Sequence, residues 1–243
     1  MTGIAHSPFI LCEWCERDGD SHPNVHSSGA AYATSEADAL RIGIIGAGHI
    51  GGTAAKLLVR VGHQVAVSNS RGPASLVSLV AELGPNAQAA TSADAARFGE
   101  VVLLAIPWRK MDELPPADRF RGKIAIDAMN PYSAVGQVMD LGDRTSSEIV
   151  AERLQGARLV KAFNTIGWKT LETGSRPPGE DRLAIFIAGD DGEAKTVVAK
   201  LIEEIGFAPV STGSLREGGR RQQPGSPIYG RPTTQKQARD ILR

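Results

Sequence analysis

Apolar and polar positions along the chain settle into a regular alternation only from Leu40 onward. Met1 to Ala39 sustains no apolar period and is expected to be a poorly ordered leader. Arg41 to Ile45 is a short apolar run ending in glycines, the pattern of a buried strand. Ile50 to Val61 then carries Ala54, Ala55, Leu57, Leu58 and Val61 at helical spacing, and Gly62-His63 makes a turn, with His63 expected to be exposed. Gln64 to Ser68 is a second strand. Pro73 opens a helix that continues from Ser75 to Leu83 and stops at Gly84-Pro85. The same logic predicts strands at Asn86–Ala90, Val101–Ile106, Lys123–Asp127, Arg158–Phe163, Leu183–Ala188 and Ala208–Ser211. It predicts helices at Ala93–Phe98, Ser146–Leu154 and Glu193–Ile205. Strands alternating with helices indicate an α/β fold with a doubly wound, mostly parallel sheet, and ligands beyond the carboxyl ends of its strands.

After Gly213 the pattern dissolves into a polar, glycine- and proline-rich stretch, followed by a helix from Thr233 to Leu242 that Thr233 or Thr234 can cap. The expected organisation is therefore a leader (1–39), an α/β domain (40–213) and a small irregular C-terminal arm with a short helix (214–243).

Composition narrows the partners. Lys plus Arg and Asp plus Glu each number 27, so formal net charge is zero. Nucleic-acid and membrane-surface partners both favour a basic excess, and neither is expected. No apolar run approaches the roughly 18 residues that span a bilayer, and no signal peptide is evident, so the chain reads as cytoplasmic. Cys12 and Cys15 are the only cysteines. With His22 and His26 they offer zinc-ligand types, but the Cys15-to-His22 gap is far shorter than in a usual finger, so no metal is expected.

Chemistry concentrates at Gly46-Ala47-Gly48-His49-Ile50-Gly51, a GxGxxG that follows a strand and opens a helix. Gly46 serves the tight turn, Gly48 the approach of a pyrophosphate, and Gly51 close helix packing; His49 and Ile50 contribute backbone N–H groups at the helix start. This is a Rossmann-type signature. About 20 residues on, an NAD site usually presents an acidic residue to the ribose. Here the second strand ends Ser68-Asn69-Ser70-Arg71. A guanidinium and a hydroxyl suit the 2′-phosphate of NADP, so Ser70 and Arg71 are assigned to it, with Asn69 beside the ribose. Leu104-Ala105-Ile106-Pro107-Trp108 ends the next long strand near the middle of the dinucleotide, where Trp108 either walls the pocket or packs. In Asp127-Ala128-Met129-Asn130-Pro131, Asn130 can bond the carboxamide or ribose, and Asp127 is expected to cap the turn more than to order the loop. Arg216, Arg220 and Arg221 read as a solvated cluster in the arm.

Taken together, Arg41–Gly51, Ser68–Arg71, Ala105–Trp108, Asp127–Pro131 and Val160-Lys161-Ala162-Phe163-Asn164-Thr165 resemble the NADPH-dependent reductases of the 5-deazaflavin coenzyme F420, and the related cytosolic domain of membrane metalloreductases. Ala188–Asp191 and Ser214–Tyr229 resemble the bacterial NADP oxidoreductase branch. The resemblance implies hydride transfer between NADP(H) and a flavin-like acceptor such as coenzyme F420 or a flavin. It places Ile106, Pro107 and Asn130 at the nicotinamide and Asn164 and Thr165 near the second ring. Such chemistry rests on positioning two rings, which agrees with a chain that offers no acid–base or nucleophilic constellation. His49 is accordingly given no acid role. Two features depart from the archaeal enzymes: Asn164 stands where they tend to have His, and the polar arm replaces an apolar C-terminal segment. Both lie on the acceptor side. A homodimer is compatible with the family. The rival readings are an NADPH reductase of another small acceptor (imine, flavin or ferric chelate) and a non-catalytic NADPH-sensing module.

Overall fold

The computed structural model describes residues 39–243; the expected leader, with Cys12, Cys15, His22 and His26, lies outside the described residues. Eight strands form one sheet in the order β3-β2-β1-β4-β5-β6-β7-β8. The first six, β1 (Arg41–Ile45), β2 (Gln64–Ser68), β3 (Ala87–Ala89), β4 (Val101–Leu104), β5 (Ile124–Asp127) and β6 (Arg158–Lys161), run parallel, the order of a Rossmann sheet.

Alternation of side chains along these strands builds two buried layers. Ile42, Ile44, Val65, Val67, Val101, Leu103, Ile124, Ile126 and Val160 face one side. There they meet α1 (His49–Arg60), through Ala54, Leu57 and Leu58, and α6 (Gly192–Glu204), through Ala194, Val198, Leu201 and Ile202. Ile45, Ala66, Val102, Leu104, Ala125 and Leu159 face the other. That side is covered by α3 (Ser92–Phe98) and α4 (Ser146–Arg153), with Thr91 and Thr145 as N-caps. Between α1 and α3 in sequence, a 3-10 turn at Pro73–Leu76 leads into α2 (Val77–Leu83), which Gly84 stops as its composition predicts.

The last two strands depart from the parallel pattern. β7 (Ala184–Ala188) is antiparallel to β6, and the two meet only end to end, Lys161 opposite Ala188. β8 (Ala208–Gly213) runs parallel to β7 and brings Gly213 opposite Ala188. The chain thus leaves β8 beside the carboxyl end of β6.

Two helices go beyond the sequence pattern. α5 (Trp168–Thr173) follows β6, and α7 (Glu217–Arg221) forms within the stretch expected to be irregular. α8 (Gln235–Leu242) has the expected cap: Thr234 accepts from the Gln237 amide, and the Gln237 side chain accepts from the Thr234 amide.

His63 corrects an expectation. It is fully buried rather than exposed, because Nδ1 accepts from the Leu40 amide at 3.2 Å and Nε2 lies 2.9 Å from the Glu204 carboxylate. A turn histidine is drawn inward when both ring nitrogens find partners.

Candidate dinucleotide and acceptor site

The turn after β1 is shaped by contacts that only glycine tolerates. Gly46 has φ of 107°, and its amide donates to Ser68 O at 3.0 Å, tying the loop to β2. A Cβ on Gly46 would stand 2.4 Å from Ala105 O, and one on Gly51 only 1.9 Å from Gly46 O. Gly48 is different: a Cβ there would meet nothing within 4 Å. The first two positions are closed by protein, and the third faces open space. Gly48 also caps α1 without a side-chain hydrogen bond, and the first turn holds no acidic residue. The leading amides of the helix therefore keep their unmet donors and the positive end of the dipole. An anionic group fits this cradle without moving backbone. The His49 ring turns aside and stacks on Trp168, the first residue of α5, with centroids 4.5 Å apart and planes 13° apart.

At the end of β2, Ser68 is buried and bonds Ile44 O at 3.0 Å. Asn69 has both polar ends engaged in its own loop: Oδ1 accepts from the Arg71 amide at 2.9 Å, and Nδ2 donates to Ser75 Oγ at 2.9 Å. This Asx-type turn fixes the loop. Ser70 and Arg71 stand exposed, and among the described residues neither side chain has a hydrogen-bond or ion-pair partner.

Past β4, the Ile106 side chain lies against the glycine turn, its Cγ2 2.9 Å from where a Gly46 Cβ would sit, and Pro107 is exposed. Trp108 packs: it is 8% exposed and lies in the layer with Ile45, Leu104, Met129 and Leu215. Of the two roles open to it in the sequence, the structure supports packing.

The ends of β5 and β6 hold a buried polar network. Asp127 is fully buried; Oδ1 accepts from the Met129 amide at 3.0 Å, and Oδ2 accepts from Ser147 Oγ at 2.6 Å and Lys161 Nζ at 3.2 Å. Lys161, also fully buried, donates further to Met129 O at 3.1 Å and Ser146 Oγ at 3.3 Å. Asp127 thus caps its own turn as expected, through the amide two residues on, while Ser147 and Lys161 meet the other oxygen of the buried carboxylate.

That loop presents Asn130 to Asn164. Asn130 Nδ2 donates to Asn164 O at 2.9 Å, and Asn164 Nδ2 donates to Asn130 Oδ1 at 3.0 Å and Gln222 O at 2.8 Å. Phe163, just before, holds φ of 65°, a left-handed conformation that costs a non-glycine residue about 1 kcal/mol or more. Asn164 and Thr165 are both buried.

The C-terminal arm covers this half of the lip. Beyond the Gln222 contact, Gly230 N donates to Thr165 O at 2.9 Å, and the hydroxyls of Tyr229 and Tyr132 lie 3.2 Å apart. Arg220 donates to Asp143 O at 2.5 Å, so one of the three arm arginines is engaged rather than solvated.

The structure brings the predicted residues into two groups, Gly46–Gly51 with Ser70, Arg71 and Ile106, and Asn130 with Asn164. Sequence reasoning missed Lys161, Ser146, Ser147, Gln222, Tyr132 and Tyr229. Only Lys161 left a trace, a charge inside an apolar strand and in direct register with Asp127. Among the described residues no group of His, Cys, Asp and Glu is placed to hold a metal ion, and no helix is long and apolar enough to cross a membrane.

Fold and glycine cradle together define a dinucleotide-binding protein. Residues 41–131 match the family model for NADP oxidoreductase, coenzyme F420-dependent. The chain is 31% identical over 167 residues to the F420-dependent NADP reductase of Methanothermobacter thermautotrophicus, covering 65% of this chain and 71% of that protein. It is 32% identical over 217 residues to the metalloreductase STEAP3 of Rattus norvegicus, covering 88% of this chain but 40% of that protein. A hypothetical protein of Sinorhizobium meliloti superposes with a TM-score of 0.72 at 35% identity, over 81% of this chain and 96% of its own. The chain belongs to the coenzyme F420-dependent NADP oxidoreductase family. Its class is that of an NADP-dependent oxidoreductase, and its cofactor is NADP(H).

Proposed function

We propose that this chain exchanges a hydride between NADP(H) and a flavin-like acceptor such as coenzyme F420. The observation that carries the reading is the pairing of an open Gly48 cradle with two uncommitted side chains, Ser70 and Arg71, at the end of β2. Gly46 and Gly51 shape the cradle, and Gly48, His49 and Ile50 hold the pyrophosphate with backbone amides. Ser70 and Arg71 take the 2′-phosphate through charge-assisted hydrogen bonds, and Asn69 holds their loop in place. Ile106, Pro107 and Asn130 line the nicotinamide end, with Trp108 packed behind them. Asn164 and Thr165 border the acceptor. Residues 40–213 act as the binding domain and 214–243 as an arm on the acceptor side.

Bound NADP(H) supplies the hydride at the nicotinamide C4. What this chain's residues supply is orientation and exclusion of water. The mutual amide bonds of Asn130 and Asn164 fix the two loops between which two rings must meet face to face. No ionisable side chain is needed for the hydride step itself.

A second reading, with a ferric chelate as the electron acceptor, is favoured by the 32% identity to the rat metalloreductase. The test is NADPH oxidation by the purified chain with coenzyme F420, FMN and ferric chelates in turn, followed at the NADPH absorbance band. Turnover with coenzyme F420 above the others supports the first reading, and turnover only with ferric chelate the second. NADPH binding without oxidation by any acceptor would replace both with a sensing module.

A further inference from the structure

The strand end at Asp127 leads into a small hairpin. Met139 N donates to Pro131 O at 2.7 Å, Ser133 N to Gln137 O at 2.8 Å, and Gly136 N to Ser133 O at 3.1 Å. Tyr132 and Val138 bridge across it. One residue of the tip and two of the returning limb are apolar and exposed: Val135 is 79% exposed, Val138 52% and Met139 38%. Three large apolar side chains thus stand in solvent on the hairpin that follows Asn130 in the chain. Exposed apolar groups gathered on one element mark a contact surface rather than chance.

The tyrosine hydroxyls at 3.2 Å make a side-chain bond between this hairpin and the arm. The arm end of that bond is well anchored. Ile228 is 2% exposed, Gly230 N is bonded to Thr165 O, and Gln222 O receives Asn164 Nδ2. Burial, then the bond to Tyr132, push the Tyr229 phenol well above its ordinary value, so Tyr229 keeps its proton across the working range of pH.

We propose that Tyr229 is a positioning residue for the acceptor: through Tyr132 it holds the apolar hairpin 131–139 at the lip, and so the C-terminal arm governs which planar ring the site admits. Held in place, the hairpin offers Val138, on the same face as Tyr132, to a flat heteroaromatic acceptor beyond the Asn130 and Asn164 loops. Released, the hairpin no longer closes that side. This inference rests on the hydride-transfer reading for its substrate, but the hydroxyl bond and its mechanical role do not.

Two measurements separate these. The first compares wild type with Tyr229→Phe, Tyr132→Phe and the double variant, with FMN and coenzyme F420 as acceptors. A neutral hydrogen bond corresponds to a change of about two- to tenfold. Acceptor KM should rise by about that factor in each single variant, with kcat within about twofold and NADPH Kd unchanged. The double variant should be no worse than either single one, because both hydroxyls serve one bond. Unchanged acceptor KM, a parallel loss of NADPH affinity, or effects that multiply in the double variant would overturn the proposal. The second measurement is hydrogen exchange on the NADP+-bound protein. Tyr229→Phe should speed exchange at Ser133, Gly136 and Met139 and leave the Gly48–Gly52 amides alone. Unaltered exchange in the hairpin overturns the proposal even where no acceptor is turned over, whereas altered exchange with no turnover would count against the hydride-transfer reading instead.

Discussion

The two halves of the lip are built from different materials. On the β1–β2 side the surface is backbone: glycines, unmet helix amides, and two side chains with no partner among the described residues. On the β5–β6 side it is a lattice of side chains already bonded to one another, from Asp127 and Lys161 inward to Asn130, Asn164 and Gln222 outward. The first half keeps its donors and its guanidinium uncommitted, which suits a ligand of fixed shape such as a dinucleotide phosphate. The second half is prepared by mutual support among residues far apart in sequence, and its geometry changes when any one of them does.

The sharpest way to break this contrast is at glycine. Gly51→Ala puts a Cβ 1.9 Å from a backbone carbonyl that cannot move, and the variant should lose about 4 kcal/mol or more, or fail to fold. Gly48→Ala meets no protein atom, so thermal unfolding should be unchanged while NADPH Kd rises at least about tenfold. Equal Tm losses for the two would show that Gly48 is structural. Next in size is Lys161→Met, which strands the buried Asp127 carboxylate; denaturant titration should show a loss of about 3–5 kcal/mol. A loss below about 1 kcal/mol would mean that the network carries no weight. Third, Arg71→Ala should weaken NADPH by about 1.5–3 kcal/mol, leave NADH binding nearly untouched and leave Tm unchanged. Equal losses for both nucleotides would remove the 2′-phosphate assignment.

The smallest effect lies outside both halves. The Arg158 guanidinium, and after it the Ala194 amide, hold the Asp191 carboxyl well below the usual carboxylate range. Because the folded value is the lower one, this contribution is complete above the unfolded value, about pH 4, and is lost as pH falls below it. Arg158→Gln should therefore lower stability slightly at neutral pH and flatten the fall below about pH 4, where variant and wild type converge, as urea midpoints across that range would show.

The same contrast explains what the sequence makes legible. The parallel strands and the glycine turn are local: Arg41–Ile45 needs only its own apolar run, and GxGxxG only its neighbours. The position of Ser70 and Arg71, exposed just past β2, could be read because their distance from the turn is set by one β–α–β unit. Lys161 could not, because its meaning depends on Asp127 in an adjacent strand, 34 positions away. Gln222 and Tyr229 were further out of reach. A stretch rich in Gly, Pro and Gln carries no periodicity, and its order comes from what it lies against. His63 shows the same limit, since its burial depends on Glu204, 141 positions on.

The reversal of β7 has a consequence for how such proteins can diversify. Because Lys161, Ala188 and Gly213 sit side by side, the chain beyond Gly213 returns to the carboxyl ends of β5 and β6, where Gln222, Tyr229 and Gly230 bond Asn164, Tyr132 and Thr165, before Ala238 of α8 packs beside Ala184, Phe186 and Val210. Lengthening, trimming or rewriting the stretch from Gln222 to Gly230 then edits the β5–β6 end of the sheet. The glycine-turn end and the tail-covered end of one sheet can drift at separate speeds, although three residues in register tie the tail's strand to the rest.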